Sequence, residues 1–353
     1  MKPLSTVARA RDLDGVAVVG GTVASGLVDL TSDVAALDST GWWAVVLPFD
    51  GAPVCARFAR RRPSGAMPRT GSPWLGPAPG DWTTSLDRDG FSARVEAIRD
   101  AIAAGDVYQV NLTRRLSAPL PHEASMLALG QALARGNPAP FSAVVELQEA
   151  GVRLASASPE LFLSRRGRHV RSSPIKGTSR PGVPFTPKDR AENVMIVDLV
   201  RNDLGRVCVP GSVRVPALFA EEEHPGLTHL VSTVEGELRA GVGWSELLDA
   251  TFPPGSVTGA PKLAALDHIA RLEPVARGPY CGAIGWVDAD RSEGELNVAI
   301  RTFWVEEDRL CLGTGGAVTW DSTAAGEWAE TELKAARLLA VASPPAVAEG
   351  APT

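Results

Sequence analysis

Two pairs of carboxylates carry the first hint of chemistry. Asp189 and Glu192 stand three residues apart in PKDRAENVMIVDLVRND, and Glu327 and Glu330 repeat that spacing in EWAETELKAAR. On a helix such residues share a face, and the first pair would share it with Ile196 and Leu199, which belong in a core. A carboxylate turned toward apolar neighbours needs a partner, because burying an unpaired charge is very costly. Two such faces could close on one hard cation, with oxygen ligands and several retained waters, as Mg²⁺ prefers. An ordinary reading stands beside it: acids in a first helical turn suit the macrodipole, and Glu330 with Lys334 makes a solvated i,i+4 pair.

Lys176 lies in SSPIKGTSRPG, bounded by Gly and Pro, which predicts a loop. Desolvated in a pocket, such an amine loses basicity and becomes a nucleophile; on an open loop it is an ordinary surface lysine. The segment GSVTGAPK, residues 255–262, opens a helix with bare N–H groups suited to a carboxylate or phosphate. It is not a phosphate-binding Walker loop, since its glycines are one residue too close and Pro261 precedes the lysine. Arg301 sits among apolar residues in a strand expected over 296–305, where a guanidinium calls for a bidentate anion or an internal salt bridge. The tract GTGGA, residues 313–317, ends a strand with exposed backbone amides.

These groups need a scaffold. Periodicity predicts helices over 123–135, 187–203, 244–251, 261–272 and 324–340, and a further helix capped by Ser92 and stopped by Gly105. Thr186 and Pro187 mark the start of the helix carrying Asp189 and Glu192. Strands are expected at 142–148, 152–156, 161–164, 213–218, 281–287, 296–305 and 310–318, with shorter ones within 1–62. In 107–113, Tyr108, Val110 and Leu112 should face a core, and Gln109, Asn111 and Thr113 should form a polar wall. Strands in runs rather than strict βαβ alternation indicate an α+β fold. Residues 60–79, rich in Arg, Pro and Gly, read as a loop or linker.

Bulk properties narrow the classes. Of the 353 residues 44% are hydrophobic and 22% charged, which suffices for a sizeable core. A net charge of −6 leaves no basic surplus for a nucleic-acid partner. Cys55, Cys208, Cys281 and Cys311 show no metal spacing and read as reduced thiols. No apolar signal segment and no membrane-length apolar run is present, so a cytoplasmic protein without a membrane contact is expected.

Taken in order, VYQVNLTRRL, SPELFL, PIKGT, KDRAENVMIVDLVRNDLGRV, HLVSTVEGEL, FPPGSVTGAPK, RGPYCGAIGW, AIRT and EWAETELKAAR resemble the chorismate-utilising enzymes. That family comprises anthranilate, aminodeoxychorismate and isochorismate synthases. The motifs run over about residues 92–340. The resemblance implies an anthranilate synthase component I-like fold of two stacked antiparallel-rich sheets flanked by helices. It divides the chain into a weakly matching, strand-rich part (1–91), a chorismate-binding catalytic region (92–342) and a disordered tail (343–353).

Carried over by position, the resemblance makes Glu192 and Glu330 the Mg²⁺ ligands, with Asp189 and Glu327 behind them and the ring carboxylate of chorismate on the metal. Gly177, Thr178, Thr258, Tyr280, Arg301, Gly315, Gly316 and Lys334 would frame the substrate carboxylates. Glu160, after a Ser158–Pro159 helical turn, would be the general acid for the departing C4 hydroxyl. His229 would stand near the site, in a catalytic or a structural role.

Two positions divide the family. Aminodeoxychorismate synthases carry Lys in PIKGT, where anthranilate and isochorismate synthases usually have Ala; ammonia users carry Gln at the position of Gln109, where water users have Lys. Lys176 and Gln109 thus imply the aminodeoxychorismate branch, in which the lysine attacks C2 and ammonia then displaces it from C4. Anthranilate or aminodeoxyisochorismate synthesis is the nearest alternative, and a catalytically silent homologue that binds chorismate or a glutaminase is the alternative of another class.

Ala317 departs from a usual glycine, and no LLES-like segment precedes Ser92 to introduce a tryptophan pocket. None of the cysteines sits in a nucleophile elbow, so a separate glutamine amidotransferase is expected to supply ammonia.

Overall fold

The structure is a computed structural model that describes residues 15–69, 71, 73–179, 182–224 and 227–343. The side chains of Thr178, His224 and Leu227 lie outside that description, as does the tail from residue 344. In chain order the strands are β1 (Gly15–Val19), β2 (Thr22–Thr31), β3 (Trp42–Leu47), β4 (Val54–Pro63), β5 (Thr83–Thr84), β6 (Gln109–Pro119), β7 (Phe141–Leu147), β8 (Val152–Ser158) and β9 (Leu161–Arg166). They continue with β10 (His169–Ser173), β11 (Ile175–Ser179), β12 (Arg214–His224), β13 (Leu227–Glu237), β14 (Gly259–Ala260), β15 (Ala283–Asp288), β16 (Glu293–Val298), β17 (Thr302–Glu306) and β18 (Arg309–Val318). The helices are α1 (Arg88–Ala104), α2 (Met126–Gly136), α3 (Pro187–Gly205), α4 (Trp244–Thr251), α5 (Lys262–Leu272) and α6 (Ala324–Ala342).

Every strand pairing is antiparallel, and hydrogen bonds run through the strands in one line that doubles back. One half reads β6, β18, β17, β8, β7, β1, β2. β2 pairs with β4, which opens the second half: β4, β3, β15, β16, β9, β10, β13, β12. The halves share one apolar core, because Val145, Leu147 and Leu154 of the first bury with Trp43, Val45, Ile284 and Leu296 of the second. Asn297 of β16 also donates across it to the Phe141 carbonyl at 2.8 Å. This is the α+β fold of two stacked sheets.

Helices cover the outsides. α1 and α5 lie on β6, α6 on β18 and α2 on β7 and β8, whereas α3 lies on β11 and β13. The two acidic helices therefore belong to opposite halves. α3 starts with a capping box: Thr186 Oγ1 accepts the Asp189 N–H and the Asp189 carboxylate accepts the Thr186 N–H, with Pro187 at the first turn. α6 is capped by Thr323 onto the Gly326 N–H. All four cysteines are buried and free. Among the described residues no helix is long and apolar enough to cross a membrane.

Several local expectations are corrected. α1 begins at Arg88, because Asp87 caps it; Ser92 lies inside and spends its hydroxyl on the Arg88 carbonyl at 2.7 Å. Tyr108 is 70% exposed, since β6 starts only at Gln109. The expected polar wall of Gln109, Asn111 and Thr113 is buried just as Val110 and Leu112 are. The PIKGT segment is a strand, β11, not a loop: it pairs with β13, whose polar-looking sequence hid a partner. The expected strand 296–305 breaks into β16 and β17, and Arg301 occupies the break at φ 51°. Ser158 ends β8, and no helical turn leads into Glu160.

Candidate active site

The carboxylates predicted on α3 and α6 face each other across the seam between the two halves. Lys188 Nζ lies 3.7 Å from Glu192 Oε1 and 3.9 Å from Glu327 Oε1, so one lysine bridges both helices. Glu330 is held by Lys334 one turn on, at 2.6 Å, and the same ammonium donates to the Gly315 carbonyl at 3.0 Å. Both carboxylates pass close over Gly316: a Cβ there would stand 2.9 Å from Glu327 Oε2 and 3.4 Å from Glu330 Oε1. Ser322 donates to Glu327 Oε1 at 2.6 Å, whereas Glu327 Oε2 is buried with no hydrogen-bond partner. Asp189 spends Oδ2 on the Thr186 N–H and hydroxyl, at 2.8 and 2.7 Å.

Burial raises the pKa values of Glu192 and Glu327 above the usual carboxylate range. Glu330 goes the other way: burial would raise it, but Lys334, then Lys176 and Lys188, bring it below. Such a set suits a divalent cation. Among the described residues no three His, Cys, Asp or Glu side chains converge closely enough to ligate an ion by themselves. An ion here would draw the rest of its shell from water and substrate oxygens.

Lys176 and Glu160 join this cluster electrostatically. Burial pulls the Lys176 amine below the ordinary lysine range, against the pull of Glu192, Glu160 and Glu330. Glu160 is 3% exposed, and burial raises its carboxyl against a hydrogen bond from Ser256 and the charge of Lys176. Its Oε1 has no hydrogen-bond partner. A small cavity of about 20 Å³ lies against Glu160, far too small for a ring substrate.

Arg301 faces the same acid: burial lowers its pKa and Glu160 opposes the shift. Its Nη2 lies 3.2 Å from His229 Nε2. A guanidinium can only donate, so this contact requires neutral His229 with Nε2 unprotonated. The left-handed backbone of Arg301 is strain of the kind that functional sites store.

The loop leading into β14 links Glu160 to Gln109. Ser256 bonds Glu160, while Gly259 and Ala260 pair with Val110 and Gln109. Gln109 is wholly buried, and neither polar atom of its amide has a hydrogen-bond partner among the described residues, an arrangement that is costly to bury. Thr258 turns its hydroxyl back onto the Pro254 and Gly255 carbonyls, each at 3.2 Å. Thr178 pairs with His229 through the backbone. Tyr280 stands apart from the cluster: its ring fills the space a Cβ on Gly313 would need, and it shares a cavity wall with Glu273 and Arg277.

Sequence reasoning missed Lys188, Asn193, Ser256 and Ser322. Lys188 was findable, one helical turn before Glu192. Ser322 lies just five residues before Glu327, whereas Asn193 and Ser256 act over long chain separations that no local pattern encodes.

Comparison with known proteins places the chain in a family and a fold. The family model described as chorismate binding enzyme matches residues 58–340. The chain is 40% identical over 270 residues to aminodeoxychorismate synthase component 1 of Klebsiella aerogenes, covering 73% of this chain and 59% of that protein. It is also 40% identical over 301 residues to anthranilate synthase component 1 of Streptomyces coelicolor, covering 80% of this chain and 58% of that one. The chain thus spans somewhat under two thirds of the length of these relatives. Among solved structures, the menaquinone-specific isochorismate synthase of Escherichia coli superposes with TM-score 0.79 at 17% identity, over 95% of this chain and 90% of that one. Anthranilate synthase component I of Streptococcus pneumoniae gives TM-score 0.75 at 23% identity, over 95% and 92%.

Proposed function

The chain belongs to the family of chorismate binding enzymes, and from that premise we propose that it converts chorismate and ammonia into 4-amino-4-deoxychorismate. The observation that carries this reading is the Lys176 amine, which burial disposes toward its neutral, nucleophilic form beside Glu192 and Glu160. Lys176 Nζ bonds to ring C2, the two ring double bonds shift, and the C4–O bond breaks. Glu160, kept protonated by burial, gives its proton to the departing hydroxyl, which leaves as water. Ammonia then bonds to C4, the double bonds shift back, and the C2–N bond to Lys176 breaks. Lys176 sheds a proton on bonding and regains one on release; the proton shed by ammonia restores Glu160.

Other residues bind and orient. Arg301, set by His229, meets a substrate carboxylate, with Gly177, Thr178, Thr258, Gly315, Gly316 and Lys334 framing the two; Tyr280, which stands apart from the cluster, has no place in that frame. The unpartnered amide of Gln109 supports a contact to the incoming ammonia. Mg²⁺ fits the donor set: Glu192 and Glu330 would hold it with Asp189 and Glu327 behind, and the unpartnered Glu327 Oε2 supports this. When bound it supplies positive charge for the ring carboxylate. A separate glutamine amidotransferase would deliver the ammonia in the cytoplasm.

Anthranilate synthesis is the second reading, because identity to the two named relatives is the same, 40%. Product analysis separates them. With chorismate, ammonium and Mg²⁺, a product that keeps its enolpyruvyl group and carries nitrogen at C4 is expected. Release of pyruvate together with an aromatic amine would refute the proposal.

A further inference from the structure

The ladder between β11 and β13 lapses at the residue that matters most. Ile175 pairs with Val231 and Thr178 with His229, so Lys176 and Gly177 together face Leu230. Two residues against one make a bulge, a device that re-aims a side chain. Gly177 supplies the left-handed backbone it needs, φ 92°, where a Cβ would press on Asp189, Phe185 and Leu230 at 3.1–3.3 Å. A bulge also strands backbone carbonyls that the ladder no longer pairs.

One buried amide closes that gap. Asn193, 1% exposed and next to Glu192 on α3, donates from Nδ2 to the Leu230 carbonyl at 3.1 Å and the Lys176 carbonyl at 3.4 Å. Its Oδ1 accepts the Ser232 hydroxyl at 2.5 Å, and Ser232 Oγ in turn accepts the Phe219 N–H at 3.1 Å. The two carbonyls leave the amide a single orientation, since a flipped one would set its oxygen against both of them, and Ser232 donates to the oxygen so placed. The side chain therefore pins the bulged strand to the helix that carries Glu192.

We infer that Asn193, oriented by Ser232, is a positioning residue that aims the Lys176 amine toward Glu192 on the helix packed against its strand. This rests on the reading of Lys176 as nucleophile. A purely structural asparagine would hold β11 to α3 without governing where the amine points.

The test uses the full chain with Asn193→Ala, Asn193→Asp, which keeps the shape but removes the donor, and Ser232→Ala, with folding checked by circular dichroism. For the two Asn193 variants kcat should fall roughly 10²-fold, because a nucleophile displaced by about 1 Å loses that much. KM for chorismate should stay within about threefold, since substrate contacts are untouched. Ser232→Ala should move kcat in the same direction by less. A second readout needs no turnover: acetylation of Lys176 by acetic anhydride without chorismate, followed by mass spectrometry, should change in rate by at least about threefold in the same variants. Should Asn193→Ala not fold, Asn193→Asp and Ser232→Ala decide. Unchanged acetylation in the folded variants overturns the inference, as does a loss of activity that only tracks the unfolded fraction. Failure of the underlying reading looks different: no Lys176 adduct forms in the unsubstituted chain, while the acetylation rates still report the aim of the amine.

Discussion

Arg277 meets Glu273 in a two-pronged ion pair, with Nε 2.8 Å from Oε2 and Nη2 2.7 Å from Oε1. Both side chains are nearly sealed from solvent. The guanidinium also donates to the carbonyls of Val257 at 2.8 Å and Asn111 at 2.7 Å, and Glu273 Oε1 accepts the Thr113 N–H. One arginine thus ties the loop of Thr258 to the strand of Gln109. Burial would lower its pKa, but Glu273 more than reverses this. Glu273→Gln should leave the buried cation short of a partner and cost about 3–5 kcal/mol, read by urea unfolding. A loss below about 1 kcal/mol would show that the pair is no anchor.

The start of α3 and the acidic helix faces were legible in the sequence because their causes are local, whereas the start of α1 was not: Asp87, and not Ser92, caps it. Thr186, Pro187 and Asp189 form the start of α3 within four residues, and Glu327 and Glu330 fall on one face of α6 by spacing alone. What stayed hidden depends on pairing between distant segments. PIKGT has the composition of a loop and becomes the strand β11 only because β13 lies beside it. Arg301 looked like a mid-strand residue, since nothing adjacent announces its left-handed backbone. The order of the motifs, rather than any one pattern, pointed to the family.

Glu160 should be destabilising at neutral pH. Its folded pKa is raised by burial above the unfolded value, so the folded state binds its proton more tightly. Stability then falls as pH rises from the unfolded carboxyl range through the folded pKa. Glu160→Gln cannot ionise, and should raise Tm at neutral pH by about 1–2 °C for each kcal/mol relieved. The difference should vanish in acid, where both forms are neutral. Meanwhile kcat should drop roughly 10²–10⁴-fold, since the departing hydroxyl loses its proton donor. A Tm difference that persists unchanged below the ordinary carboxyl range would contradict this account.

The Mg²⁺ site proposed between the facing carboxylates of α3 and α6 predicts that turnover depends on a divalent cation. Glu192→Gln and Glu330→Gln should each cut Mg²⁺-dependent turnover severely, because a neutral amide is a poorer ligand for a hard cation. Glu330→Gln has a second effect: it removes the partner of Lys334, which then keeps only the Gly315 carbonyl. Titration of activity with Mg²⁺ should shift to higher concentration in both variants. Full turnover in excess chelator would exclude a metal role for these residues.

Lys176→Ala tests the product assignment most directly. The substitution leaves Glu160, Arg301 and the facing carboxylates in place, so chorismate should still bind, while the covalent route through C2 is gone and aminodeoxychorismate formation should collapse. Small nucleophiles can partly replace the amine, because the site still orients the ring and protonates the leaving hydroxyl. Ammonia attacking C2 would then give an aminodeoxyisochorismate-type product, detectable as an isomer by chromatography and mass spectrometry. The competing role for Lys176 is a cation that only anchors a carboxylate; removing it would weaken chorismate binding and leave the product unchanged. Burial weakens that alternative, since it disfavours the charged amine that anchoring requires. Incubating the unsubstituted chain with chorismate and no ammonia should build up an adduct on the peptide carrying Lys176. An absent adduct together with an unaltered product from Lys176→Ala would return the chemistry to direct attack by ammonia, as in anthranilate synthesis.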